Sequence, residues 1–372
     1  MRIIYFDNAA TTFQKPGIVL RQTLKFIREG YGNAGRSGHF LSMKTAELIY
    51  ETREVVCRML NFNAPDKVIF HHNATEALNV AIKACIPDNS HILTSNLEHN
   101  SVLRPLYSLS EKKGIKIGYF SHSGNLENNI VQQIRSDTKA IVCTLVSNVT
   151  GEEIDISVLS RIRKKYNLLL IVDASQMFAH KSIDLNQTPV DVLCSAGHKG
   201  AFGMQGVGFS VYNKAPDKTF IEGGSGVDSF LHTMPNKMPE RLEAGTLSAP
   251  AIASLKYGLT FIEKYGIRNV EEKLAEFDFI ANCEFAKRNH IISLANGKNG
   301  IHSFVFQNES SSQTARKLEK FNICVRSGFH CAPLTHKLYH TEQTGAIRMS
   351  FSIMNTKSEI RKFFQILDKI KA

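Results

Sequence analysis

Between residues 67 and 215 the chain alternates short, nearly uninterrupted apolar runs with segments of helical period, and no other feature narrows its fold as much. KVIF (67–70), HILTS (91–95), KIGYF (116–120), AIVCTLV (140–146), LLLIVDA (168–174) and DVLCSA (191–196) read as strands. Between them TEALNVAIKAC (75–85), SVLRPLYSLSEKK (101–113) and ISVLSRIRKKY (156–166) repeat apolar residues at helical spacing. A strand that is apolar on both faces needs cover on both, and helices crossing between parallel strands supply it. The expectation is an α/β fold built on a mainly parallel sheet.

After about residue 255 the pattern changes to longer helices, SLKYGLTFIEKY and VEEKLAEFDFIANCEFAKR, then to shorter strands around HSFVFQ (302–307) and IRMSFS (347–352). This reads as a second, α+β domain, in keeping with 372 residues at about 150 per domain. The closing KSEIRKFFQILDKI spaces Ile360, Phe363, Phe364, Leu367 and Ile370 for one helix face, so it is expected to dock rather than trail as a tail.

Composition sets aside several classes of function. The net charge of +11 is dispersed in pieces such as RIRKKY and EKK, which suit solvated helix faces better than a nucleic-acid surface. The opening MRIIYFDNAATT lacks a basic and apolar leader, and no run approaches the roughly 18 apolar residues of a membrane span. Seven scattered cysteines with no C-x-x-C pair disfavour disulfides and a zinc site, so no metal is expected and a cytoplasmic setting is.

Ligands of open parallel sheets collect beyond the carboxyl ends of the strands. The polar residues there are Ala74-Thr75-Glu76, Glu98-His99, Ser147-Asn148, Asp173 with Gln176, and His198-Lys199. Each alone has a plain structural explanation, as a helix cap, a turn residue or a strand-end carboxylate. Together they describe a helix N-terminus for a phosphate, a flat ring for stacking, a carboxylate beside an amide, and a lysine. Pyridoxal 5'-phosphate needs that set, because its chemistry requires a carboxylate on the pyridine nitrogen and a lysine amine on the aldehyde carbon. Gly200, Gly203, Gly206 and Gly208 would let the backbone after the lysine turn tightly.

These residues resemble the class V aminotransferase-like enzymes, pyridoxal phosphate proteins of fold type I, and among them the cysteine desulfurases. The resemblance runs from YFDNAATT (5–12) through NATEALN (73–79), LEHNS (97–101), SNVTGE (147–152), VDASQ (172–176), SAGHKGAFGMQGVG (195–208), LEAGT (242–246) and RSGFHCAP (326–333) to IRMSFSIMNT (347–356). It implies a seven-stranded sheet in a large domain of residues 15–255, with 1–14 and 256–372 forming the small domain. It implies further that Lys199 is the Schiff-base lysine, Asp173 the partner of the pyridine nitrogen, Gln176 the donor to the ring oxygen and His99 the stacked imidazole. Ala74, Thr75, Ser195 and His198 match cofactor-contacting positions, and Thr246 matches the residue that reaches the neighbouring subunit's phosphate in a homodimer. Asn148 and Arg348 match substrate positions, with Arg348 as the fork for the substrate carboxylate.

The R-S-G-F-H-C segment is similar to the compact R-x-G-x-H-C loop of the group that includes sulfur-mobilising desulfurases and selenocysteine lyases. It implies Arg326 near the substrate, Cys331 as nucleophile and His330 beside it. Neighbouring cations lower a thiol pKa, and Arg326 and His330 would do so if the loop folds back toward the pocket. The activity implied is conversion of L-cysteine to L-alanine, leaving a persulfide on Cys331 for a protein sulfur acceptor. Selenocysteine lyase, another C–S lyase and a class V aminotransferase are the alternatives. An RNA-binding or scaffold protein with a retired site is opposed by the intact set of His99, Asp173, Gln176 and Lys199. Ala74, Asn100 and Met204 depart from the commoner threonine, histidine and proline. The other six cysteines are read as small buried residues.

Overall fold

The computed structural model describes residues 3–35, 38–307 and 309–370. In chain order its strands are β1 (Ile4–Tyr5), β2 (Val68–His71), β3 (His91–Ser95), β4 (Lys116–Phe120), β5 (Thr138–Thr144), β6 (Leu169–Asp173), β7 (Val192–Ala196) and β8 (Gly208–Tyr212). The C-terminal part adds β9 (Ile291–Ser293), β10 (Ile301–Phe306), β11 (Ile323–Cys324), β12 (Arg326–Gly328) and β13 (Ala346–Ser350).

Seven strands form one sheet in the order β2-β8-β7-β6-β5-β3-β4. Every pairing from β7 to β4 is parallel, whereas β8 runs antiparallel to both β2 and β7. The sheet is therefore mainly parallel, as the apolar runs require. Individual strand ends shift by a residue or two. The run expected over 140–146 is a strand over 138–144, because Leu145 and Val146 turn into the loop that carries Asn148.

The two faces of this sheet enter different cores. Ile92, Ala140, Val142, Ile171 and Cys194 pack under the helices Ala74–Cys85 and Asn100–Lys113. Leu93, Ile141, Leu170, Val172 and Leu193 face the opposite way, into a larger core that continues into the C-terminal part. There β12-β13-β10-β9 make an antiparallel sheet, and β1 pairs in parallel with β11. Phe6, just after β1, sits edge-on to Phe351 and Phe363 with ring centroids 5.3 and 5.6 Å away. The helix Lys357–Ile370 buries the five apolar residues of its expected face. None of the described helices is long and apolar enough to cross a membrane.

Cysteine burial departs from expectation at two positions. Cys57, Cys143 and Cys194 are buried and Cys85 is half-buried, but Cys283 and Cys324 are exposed. Cys283 lies off the face that the helix Ile267–Ala286 buries through Phe277, Ala281 and Phe285, and Cys324 sits in a two-residue strand whose buried member is Ile323.

Backbone contact between the helix Ala249–Tyr265 and the turn after Lys199 fixes where that turn lies. A Cβ on Gly258 would collide with the Ala201 carbonyl. Gly258→Ala should therefore lower stability by about 1–3 kcal/mol through overpacking against an immovable main chain. Urea unfolding of the variant should move its midpoint down; an unchanged midpoint would mean that the helix can retreat freely.

Candidate active site

Alternation along the strands decides what reaches the cavity. Thr144, Asp173 and Ala196 end β5, β6 and β7 on the face covered by the helices Ala74–Cys85 and Asn100–Lys113. They line a cavity of about 210 Å³. Ala74, Thr75, His99, Asn148 and Gln176 share its walls, together with His198, Lys199, Arg326 and Arg348. Residues separated by up to 274 positions in sequence thus converge on one site.

One wall is a helix start. Asn73 caps the helix Ala74–Cys85, its Oδ1 accepting the Glu76 N–H at 2.9 Å. A Cβ on Gly208 would collide with the Asn73 main chain, so glycine there lets β8 press directly on the cap. The first-turn N–H groups of Ala74 and Thr75 have no carbonyl within the helix to bond, and this end of the helix favours an anion. Thr75 Oγ1 lies 2.8 Å from Ser101 Oγ, which lies 2.9 Å from His99 Nδ1.

His99 caps the next helix. The Ser101 N–H donates to its Nδ1 at 3.1 Å, and since an N–H can only donate, the ring proton sits on Nε2. Burial, then the charge of Lys199, push the His99 pKa down to about 4, so the ring is neutral at physiological pH. Glu98 beside it is fully buried; both of its oxygens accept the Thr144 N–H at 3.0 Å, and Ser95 donates its hydroxyl. Burial lifts Glu98 to about 8 against those hydrogen bonds, and the carboxyl keeps its proton at neutral pH. Asp173 is accordingly the carboxylate that β6 delivers to the cavity, with Oδ1 accepting the Ser175 N–H at 2.9 Å.

The N-terminal segment closes another side. Thr11 and Thr12 donate their hydroxyls to the His198 carbonyl, and Gln176 Nε2 donates to Ala9 O at 3.1 Å. Gln176 Oε1 and His198 Nδ1 are buried with no hydrogen-bond partner among the described residues, an arrangement that costs free energy unless something else bonds them. Arg326 and Arg348 are directly opposed across β12 and β13. Arg348 is 1% exposed; Nη1 donates to Asn148 O at 2.9 Å, Nη2 to Asp7 Oδ1 at 2.7 Å, and Nε has no partner among the described residues. Asp7, the sole charge in YFDNAATT, is a partner of Arg348 that sequence reasoning left unassigned.

Four expected residues lie elsewhere. Ser195 points to the opposite side of β7, where its hydroxyl is buried without a partner, and Ala196 takes the cavity face because successive strand residues alternate. Thr246 is outside this cavity, on a separate one of about 430 Å³, where Asn33 Nδ2 reaches its hydroxyl at 3.3 Å. His330 is buried and its Nε2 donates to Ala346 O at 3.1 Å. Burial and then the charge of Arg348 push His330 to about 2, so it is neutral and supplies no cation to the neighbouring thiol. That corrects the expectation of two cations beside Cys331.

Cys331 itself is exposed. It and His330 have φ of 57° and 48°, two successive left-handed residues without glycine, which cost about 1–3 kcal/mol each. Both carbonyls are held: Asn148 Nδ2 donates to His330 O at 2.8 Å, and the Asn100 N–H to Cys331 O at 2.7 Å. The cysteine loop is thereby fastened to the residue after His99.

Burial pushes Lys199 down to about 8, opposed by Asp173 and assisted by Arg348 and Arg326. At pH 7 about a tenth of its amine is then neutral, against well under a thousandth for an ordinary lysine. Formaldehyde with cyanoborohydride should modify Lys199 in the cofactor-free protein at a rate that climbs about tenfold per pH unit and levels off above about 8. Peptide mass spectrometry following the course of modification would contradict this if the rate were still climbing at pH 10.

Residues 4–363 match the family model described as aminotransferase class V. Similar curated proteins include a probable cysteine desulfurase of Pyrococcus abyssi, 29% identical over 387 residues that cover 99% of this chain and 94% of the relative. Another, from Borreliella burgdorferi, is 28% identical over 99% of this chain and 92% of its own length. Among solved structures, the apo cysteine desulfurase of Thermococcus onnurineus NA1 superposes with a TM-score of 0.83 at 25% identity, covering 99% of this chain and 94% of that one. The cysteine desulfurase CsdA of Escherichia coli, in its S-sulfonic acid form, superposes with a TM-score of 0.88 at 23% identity over the same shares. With the match extending over nearly its whole length and its sheet built as those folds are, this chain belongs to the class V aminotransferase family.

Proposed function

We propose that the chain is a pyridoxal 5'-phosphate-dependent cysteine desulfurase that takes the sulfur of L-cysteine onto Cys331 and releases L-alanine. The observation that carries this reading is the convergence of Lys199, Asp173 and the opposed Arg326 and Arg348 on one cavity, with the Cys331 peptide bonded to the residue next to His99. The names of the similar proteins support it.

The residues present fit the cofactor. Gln176 Oε1 and His198 Nδ1 are buried polar atoms lacking partners, and the start of the helix Ala74–Cys85 leaves N–H groups for a phosphate. In this reading Lys199 carries the cofactor, Asp173 holds the pyridine nitrogen, His99 stacks on the ring, and Gln176, Thr75 and His198 bond its oxygens. Ala74 contributes its main chain, and Asn148 borders both cofactor and substrate. When bound, the cofactor supplies an electron sink for the pair released at the substrate α-carbon.

The rest is work for the chain. Arg348 binds the substrate carboxylate, with Arg326 beside it. Lys199, freed when the substrate's amino group takes its place, is the neutral amine that takes the α-proton, a role its lowered pKa favours. Cys331 as thiolate attacks the substrate sulfur; the S–S bond forms as the Cβ–S bond breaks, a proton is delivered to Cβ, and Lys199 returns a proton to the α-carbon to complete alanine. The exposure of Cys331 would let a protein acceptor reach its persulfide. We also assign to this reading a homodimer in which Thr246 serves the partner's site, since in its own subunit it lines a different cavity. The division into residues 15–255 and 1–14 with 256–372, and action in the cytoplasm, complete the proposal.

Lys199→Ala should abolish the yellow absorbance of the purified protein, since no other lysine lines the cavity. Visible absorbance persisting in that variant without added substrate would remove Lys199 from its role. Cys331→Ala should keep the absorbance yet accumulate no persulfide, and alanine formation should fall about 100-fold or more. Mass spectrometry after exposure to cysteine decides the point: a persulfide on another cysteine, or undiminished alanine, would favour a lyase or an aminotransferase.

A further inference from the structure

A second polar cluster is made by residues that do not line the cavity. Glu152 belongs to the tight loop that begins with Ser147 and Asn148, closed by Ser147 N–H to Glu152 O at 2.8 Å. Its carboxylate accepts from Tyr339 Oη at 2.6 Å and Thr150 Oγ1 at 2.7 Å on one oxygen, and lies 3.1 Å from His122 Nε2 on the other. His122 Nδ1 is 2.9 Å from Asn96 Oδ1. Burial raises the Glu152 pKa, but the hydrogen bonds from His122, Tyr339 and Thr150 outweigh it and bring the group to about 2.

This cluster has no place in the chemistry so far. Tyr339 directly follows the helix Pro333–Leu338, which directly follows Cys331 and Ala332. The segment is therefore gripped at two points by the same loop: Asn148 takes the His330 carbonyl and Glu152 takes the Tyr339 hydroxyl. The loop after β3 grips it as well, through Asn100 N–H to Cys331 O and Thr335 Oγ1 to Asn96 O at 3.5 Å. A cysteine held in two successive left-handed conformations needs such restraint, because a free loop would relax to ordinary backbone angles.

We infer that Glu152 and Tyr339, backed by His122 and Thr150, are positioning residues that latch the 330–340 segment so that the Cys331 sulfur stays aimed at the substrate. The inference rests on the desulfurase reading, since it concerns the sulfur-transfer step. Glu152, Tyr339, His122 and Thr150 are not among the residues that line the cavity, and Arg326 is held separately by its pairing with β13, so the latch governs that step without governing cofactor or amino-acid binding.

The test compares holoenzyme of the wild type, Tyr339→Phe and Glu152→Gln. Tyr339→Phe removes one hydroxyl from a half-buried ring and spares the fold if Glu152→Gln does not. After rapid mixing with L-cysteine and acid quench, persulfide on Cys331 should form more slowly in the variants, on the order of ten- to a hundredfold. The visible spectrum and its titration with L-alanine should be unchanged, and amides of residues 330–340 should exchange hydrogen faster. Wild-type persulfide rates in both variants would overturn the inference, even with faster exchange, since the latch would then be merely structural. Slower persulfide formation accompanied by lost absorbance in both variants would overturn it too. Wild-type protein that never forms a persulfide on Cys331 would instead defeat the desulfurase reading, and the latch's role in sulfur transfer with it.

Discussion

The buried guanidinium of Arg348 is the charge around which the molecule is assembled. A cation almost wholly removed from water survives only with close partners, and its partners are the Asp7 carboxylate and the Asn148 carbonyl. These three residues belong to the N-terminal segment, a loop of the seven-stranded sheet and the antiparallel sheet. Satisfying one charge therefore brings together three parts of the chain. The same geometry draws β1 to β11 and Phe6 to Phe351 and Phe363, so apolar burial completes what the ion pair begins. Removing either partner would leave a buried charge unpaired, which costs far more than the pair contributes.

Desolvation then sorts the ionisable groups by form. Glu98 keeps its proton, His99 and His330 shed theirs, and Lys199 is brought to about 8. Neutral imidazoles beside two arginines avoid adding positive charge, and a neutral Glu98 leaves Asp173 without a like-charged neighbour at the strand ends. The site is thus a small number of full charges set among groups that burial has silenced.

Much of this was legible in the sequence, for identifiable reasons. Apolar runs mark buried strands because both faces are covered, and the positions just beyond them gave His99, Asn148, Asp173 and Lys199. What stayed hidden depends on distant pairing or on single-residue phase. Asp7 meets Arg348 across 341 positions, and no local pattern reports that. Ser195 and Ala196 are both small, so only the alternation of β7 tells which faces the cavity. His330 looked like a cation until burial was known. β8, beginning at Gly208 after a glycine-rich turn, has too little apolar length to stand out as a strand. The clamp on the cysteine loop was invisible because Glu152 and Tyr339 meet only when Asn148 and His330 do.

The backbone on either side of the Cys331 thiol is anchored through main-chain acceptors: the carbonyls of His330 and Cys331 are the bonded atoms, and neither bond involves the thiol. The scaffold that aims this position is thus indifferent to what it aims. A small unbranched side chain placed there inherits the same two bonds and the same unusual backbone, at much the same cost, whereas a β-branched one would be strained. Reactivity at this site is a replaceable cartridge in a fixed mount, so its chemistry can diverge among related chains while the loop that presents it keeps one shape.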